Sequence, residues 1–110
     1  MTTEVEVADS EAIPDGEVVA FTVDGRDVAV ARSGSALYAF DDRCTHEQCP
    51  LSTGWVEDDE IECDRHGARF DLATGAVTLP PAFTPLVTHR VTERDGKVFV
   101  VLSQAPVAAD

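Results

Sequence analysis

Cations are scarce in this chain of 110 residues: 8 Lys and Arg stand against 21 Asp and Glu, a formal charge of −13 at pH 7. Nucleic acid and anionic membrane are negative surfaces, so this balance argues against both as partners. It suits a basic patch on another protein, and it would equally serve solubility alone. Long apolar runs are missing as well. None approaches the roughly 20 residues needed to span a bilayer. The opening MTTEVEVADS is acidic where a signal peptide would be basic and then apolar. Together these predict a cytoplasmic protein with no membrane contact. No stretch keeps an apolar face at helical spacing for ten residues or so, which makes helix scarce. No G-x-G-x-x-G loop occurs, which excludes a flavin- or nicotinamide-binding reductase. Cysteines number only 3. An odd count in an unexported chain points to thiol chemistry or metal rather than a disulfide framework.

What is present is apolar enough to fold. At 44% apolar residues the chain reads as globular, and its length allows one domain with its own core. Short β-type runs separated by turn signals dominate. Residues 4–8 alternate polar and apolar, and Pro14-Asp15-Gly16 then turns the chain. Val18–Val23 and Val28–Ala31 flank Asp24-Gly25, a strong hairpin signal. Ala36–Phe40 is a further strand. Leu86–Val91 and Val98–Leu102 flank a second Asp-Gly at Asp95-Gly96. Between these ends lies a different region, about residues 41–82, which holds all three cysteines and two of the three histidines. Only brief strands fit there: Gly54–Val56, Glu60–Cys63, Ala68–Asp71 and Ala76–Leu79, with Asp58-Asp59 as a hairpin tip. The expectation is one all-β domain, antiparallel sheets forming a scaffold into which a small loop-bearing subdomain is inserted.

The chemistry concentrates in two short stretches, CTH at residues 44–46 and CDRH at residues 63–66. Residues i and i+2 of an extended chain point to one side, so Cys44 and His46 can present a sulfur and a nitrogen together. Cys63 and His66 can do the same across a tight turn, with Gly67 freeing the backbone to leave. The 16 residues from Glu47 to Glu62 are enough to run out, turn and return. Two thiolates and two imidazoles thus converge from two loops. Two answers are open at this point. A zinc ion accepts a tetrahedral Cys₂His₂ shell, making a structural zinc module with no redox role. A 2Fe–2S cluster takes two cysteines on one iron and two histidines on the other. Structural zinc sites usually cluster like ligands, whereas here each loop carries one of each type, which suits a binuclear cluster.

These stretches, CTHEQCPLSTG and ECDRHGARFDLATGAV, followed by LPPAFTPL, resemble the Rieske ferredoxins, whose pattern is C-x-H, some 15 to 17 residues, then C-x-x-H. The resemblance extends weakly over the flanking strands and so covers nearly the whole chain. It implies an all-β Rieske fold with one 2Fe–2S cluster at the tip of the small subdomain. Cys44 and Cys63 would hold the inner iron, His46 and His66 the outer one nearer solvent. Two ferric ions, two sulfides and two thiolates sum to about zero, so reduction is easier than with four thiolates.

The high-potential Rieske proteins of respiratory cytochrome bc complexes differ at three places. Their serine and tyrosine, two and four residues after the second-loop histidine, donate hydroxyl bonds to cluster sulfurs; here those positions are Ala68 and Phe70. The absence of such donors predicts a lower potential. Their disulfide partner before the second histidine is Arg65 here, which leaves Cys49 a packed thiol. Their N-terminal membrane anchor has no counterpart. Pro80-Pro81 resembles the family's proline loop, a third wall over the cluster. Pro50, Leu51 and Ala82 are expected to ring the histidine edges, Trp55 to pack beneath the loops, and Glu57-Asp58-Asp59-Glu60 to form a solvated tip. His89 reads as a surface strand residue. With one histidine left outside the loops, a 2-His-1-carboxylate iron site cannot be built, which excludes the oxygenase itself.

The resemblance implies a carrier rather than an enzyme: a monomeric, soluble ferredoxin taking one electron from a ferredoxin reductase and delivering it to the terminal oxygenase component of a multicomponent aromatic-ring dioxygenase system. The small subunit of a nitrite reductase is the alternative that shares this domain.

Overall fold

The computed structural model describes residues 4–45, 50–64, 67–80 and 84–103. Among them the regular structure is strand, apart from two single-turn 3-10 segments, Ser10–Ala12 and Leu51–Thr53. The strands are β1 (Glu4–Asp9), β2 (Val18–Val23), β3 (Arg26–Ser33), β4 (Ala36–Asp41), β5 (Trp55–Glu57), β6 (Glu60–Glu62), β7 (Arg69–Asp71), β8 (Val77–Leu79), β9 (Thr88–Arg94) and β10 (Lys97–Val101). They form a six-stranded sheet in the order β1-β10-β9-β4-β3-β2 and a four-stranded sheet β5-β6-β7-β8. All pairings are antiparallel. The all-β expectation holds.

Local chemistry accounts for the hairpins. Asp24 and Gly25 both take positive φ, 50° and 80°, as do Asp95 and Gly96 at 53° and 73°. Two successive left-handed residues make the tight turn whose twist matches paired strands. That turn closes the pair Val23↔Arg26 directly, which is why β3 begins at Arg26 rather than at Val28. The expected tip at Asp58-Asp59 is present, with both residues at positive φ (55° and 62°). Asp tolerates this region better than most residues because its short side chain bonds locally. At the other end, β9 starts at Thr88 rather than Leu86. Pro85 has no N–H to offer a ladder, and Leu86 N–H is spent on Gly75 O at 2.8 Å.

The core lies in two parts that share β3 and β4 as a wall. Val28, Val30 and Ala39 bury with Ile13, Val23, Val98 and Val100 on one face. Ala29, Ala31 and Phe40 point the other way and bury with Leu51, Ile61, Phe70, Leu72 and both Cys44 and Cys63. The strand period of two sorts successive residues to opposite faces. Small alanines on the second face let the four-stranded sheet approach closely. Each fully buried Phe, Leu or Ile contributes about 1.5 to 3 kcal/mol, so this second cluster both stabilises the fold and seats the cysteines.

Candidate metal centre

Cys44 follows β4 by three residues, and Cys63 follows β6 directly. They are 0% and 1% exposed and belong to one apolar cluster with Leu51, Ala68 and Phe70. Both loops thus seat their cysteine in the same buried cluster. His46 and His66 lie outside the described residues, as do Cys49, Arg65, Pro81 and Ala82.

The stem of the first loop is held by backbone and side-chain bonds. Asp42 N–H donates to Asp27 O at 2.9 Å, and Arg43 N–H to Asp41 O at 2.8 Å. Ser52 N–H and Oγ each donate to the Asp42 carboxylate at 2.7 Å. Thr45 Oγ1 donates to Thr84 O at 2.7 Å, joining this loop to the segment that follows Pro80 and Pro81. The second loop is a closed turn. Cys63 N–H donates to Ala68 O at 2.8 Å and Gly67 N–H to Cys63 O at 3.2 Å. Gly67 sits at φ 78°, a conformation costly for residues bearing a Cβ. The loops also touch at their stems. A Cβ added at Gly54 would stand 1.9 Å from Glu62 O.

The described donors suit a 2Fe–2S cluster. Sulfur is a soft donor that binds iron as thiolate. A bare thiolate in so apolar a pocket would be costly, and coordination removes that cost. Ala68 and Phe70 are both 0% exposed beside the cysteines, and neither side chain carries a hydroxyl.

Three expectations are corrected. His89 is not a surface residue: its side chain is 0% exposed. β9 lies inside the six-stranded sheet between β4 and β10, and both ring nitrogens find partners there. Ser103 N–H donates to Nδ1 at 3.0 Å, so Nε2 carries the proton and donates to Asp41 Oδ1 at 2.8 Å. Arg26 completes the network with two bonds to Asp41, 2.9 and 3.1 Å, and one to Ser103 O at 3.1 Å. Burial pushes the Asp41 carboxyl up, but the His89 bond and the Arg26 guanidinium outweigh it and hold it below its usual value. Trp55 does not pack beneath the loops. It is 49% exposed, because pairing with Glu62 puts it on the outward face while its neighbour Val56 takes the inward one opposite Ile61. Leu51 does not ring a docking edge; it is fully buried beside the cysteines. Pro50 is exposed.

The expected solvated tip is only partly so. Glu57, Asp58 and Asp59 are exposed. Glu60 turns to Arg69, whose guanidinium is 2.7 Å from Glu60, 3.4 Å from Glu62 and 3.6 Å from Glu57. Asp42, Ser52, Gly54 and the Arg26–Asp41–His89 network escaped the sequence reading. Their partners lie 8 to 77 residues away, beyond any local motif.

A Rieske [2Fe-2S] domain model matches residues 3–103. A curated relative, the ferredoxin component of a naphthalene 1,2-dioxygenase system from Pseudomonas aeruginosa, is 36% identical over 91 residues, 83% of this chain and 88% of the relative. The solved ferredoxin of carbazole 1,9a-dioxygenase from Nocardioides aromaticivorans IC177 superposes with a TM-score of 0.87 at 35% identity, covering 92% of this chain and 99% of that one. A complex of reduced oxygenase and oxidized ferredoxin in carbazole 1,9a-dioxygenase matches with a TM-score of 0.83 at 33% identity, over 88% of this chain and 91% of that one.

Proposed function

This chain belongs to the Rieske [2Fe-2S] domain family, and on that premise we propose that Cys44 and Cys63 hold one iron of its cluster while His46 and His66 hold the other. The observation that carries this assignment is the convergence of Cys44 and Cys63, from two separate loops, in one buried cluster. The protein is a ferredoxin-type electron carrier, not an enzyme. It passes electrons from a ferredoxin reductase to the terminal oxygenase component of an aromatic-ring dioxygenase system, as its relatives' names and the oxygenase–ferredoxin complex indicate for those proteins. We assign the cluster-binding subdomain to about residues 41–82.

When bound, the 2Fe–2S group supplies a one-electron couple. The chain's own residues set its surroundings. Leu51, Ala68 and Phe70 exclude water from the sulfur side, which strengthens every electrostatic interaction there. Cys63 N–H is already committed to Ala68 O. The side chains of Ala68 and Phe70 offer no hydroxyl to a sulfur, so the potential belongs in the lower part of the family range of roughly −150 to +300 mV. No acid, base or nucleophile is needed. Among the described residues no helix is long and apolar enough to cross a membrane, and we place the carrier in the cytoplasm as a monomer whose negative charge disfavours self-association.

Metal analysis of anaerobically prepared protein tests the reading. It expects two irons and two acid-labile sulfides per chain, with a rhombic EPR signal on reduction. Colourless protein holding one zinc would replace it with a structural zinc site.

A further inference from the structure

Cys44 and Cys63 enter the buried cluster from separate stems, and a short series of contacts connects those stems. Asp42, two residues before Cys44, takes both polar hydrogens of Ser52 on its two carboxylate oxygens, each at 2.7 Å. Ser52 belongs to the turn Leu51–Thr53, in which Gly54 N–H donates to Leu51 O at 2.9 Å. Gly54 is pressed against Glu62, where a Cβ would lie 1.9 Å from the carbonyl oxygen. Glu62 is the residue before Cys63. Asp42 is itself anchored, its N–H on Asp27 O at 2.9 Å. Apolar packing around the cysteines is non-directional, whereas a two-point hydrogen bond fixes distance and orientation together.

We propose that Asp42 is a positioning residue for the cluster: through Ser52 and Gly54 it sets the placement of the Cys44 stem against the Cys63 stem. This rests on the reading that both cysteines are iron ligands. Partners outside the ligand shell orient ligands and tune metal sites elsewhere, and here one side chain serves both loops. Geometry, rather than charge, is the operative property. An asparagine at this position can keep both bonds, its carbonyl accepting from Ser52 N–H and its amide donating to Ser52 Oγ.

Four full-length proteins test this: wild type, Asp42→Ala, Asp42→Asn and Ser52→Ala, each reconstituted anaerobically with iron and sulfide. The readouts are iron and sulfide content, EPR g-values after reduction, midpoint potential, and the half-life of the visible absorption in the presence of a chelator. Asp42→Ala is expected to shift the g-values and midpoint and to lose its colour about tenfold faster. Ser52→Ala, which keeps the backbone bond, should shift the same way by less. Asp42→Asn should retain wild-type g-values. Wild-type g-values, midpoint and half-life in both alanine variants, or a lowered melting temperature as their only change, would overturn the proposal. So would an Asp42→Asn protein as impaired as Asp42→Ala. If Asp42→Ala does not accumulate folded, Ser52→Ala decides on the same criteria. A wild-type chain that takes up neither iron nor sulfide overturns the ligand reading itself, a failure the variants cannot mimic.

Discussion

Ala68 and Phe70 face the pocket that holds both cysteines, fully buried. A hydroxyl there would donate to sulfur and favour the more negative, reduced state. The double variant Ala68→Ser with Phe70→Tyr is expected to raise the midpoint by tens of millivolts per bond formed, taking a net hydrogen bond as about 1 kcal/mol. Protein-film voltammetry measures it, and an unmoved midpoint would refute the hydrogen-bond account. His89 is the other residue whose chemistry is settled by its neighbours. Replacing it with alanine strands Ser103 N–H and one bond of Asp41, at a cost of about 2 to 3 kcal/mol seen in denaturant titrations. Asp41, held below its usual value, gives stability a pH dependence with a definite sign. Its contribution is complete above a pH of about 4, where an unfolded Asp is ionised. It is lost as pH falls through the lowered folded value, because the unfolded chain then binds the proton first. Asp41→Asn should therefore flatten the fall of the melting temperature in acid.

Strands and turns were legible before the structure wherever one residue type enforces a backbone state. Asp24-Gly25, Asp58-Asp59 and Asp95-Gly96 marked three hairpins, and all three carry the positive φ values those turns need. Brief strands were also visible between the loops, and the structure keeps them within a residue or so at each end. Alternation alone misjudged what covers each face. VTHRV looks half-exposed, yet its histidine is buried because β9 is interior to the six-stranded sheet and Ser103 folds back over it. Trp55 was misplaced for the converse reason: a large apolar side chain suggested burial, while cross-strand register put it outward. Both cysteines were found because their spacing to histidine is local, whereas the bonds that tie the two loops are not. The meeting of Gly54 with Glu62 was invisible for that reason. Gly54→Ala should destabilise the protein by about 3 kcal/mol or more, since backbone meets backbone there with nothing flexible to yield. Thermal melts would register the loss, and iron retention should fall with it.

At the scale of the whole molecule, charge is the dominant property. A carrier with a formal charge of −13 should meet its redox partners by steered diffusion, and screening lengths shrink to about 8 Å at physiological ionic strength. Raising salt from 50 to 500 mM is expected to slow the second-order rate of electron delivery to the oxygenase by about tenfold or more, with the cluster spectrum unchanged. Stopped-flow reduction follows it, and a rate indifferent to salt would assign the acidic surface to solubility alone. The six-stranded sheet has a further property: its first strand pairs with its last, Glu4 opposite Val101. Val101 follows Glu4 by 97 residues, so during synthesis β1 must wait without its partner while the intervening strands emerge. A chain stopped before Lys97 would leave β1 without its ladder and remove Val98 and Val100 from their buried cluster, and it should melt at a markedly lower temperature.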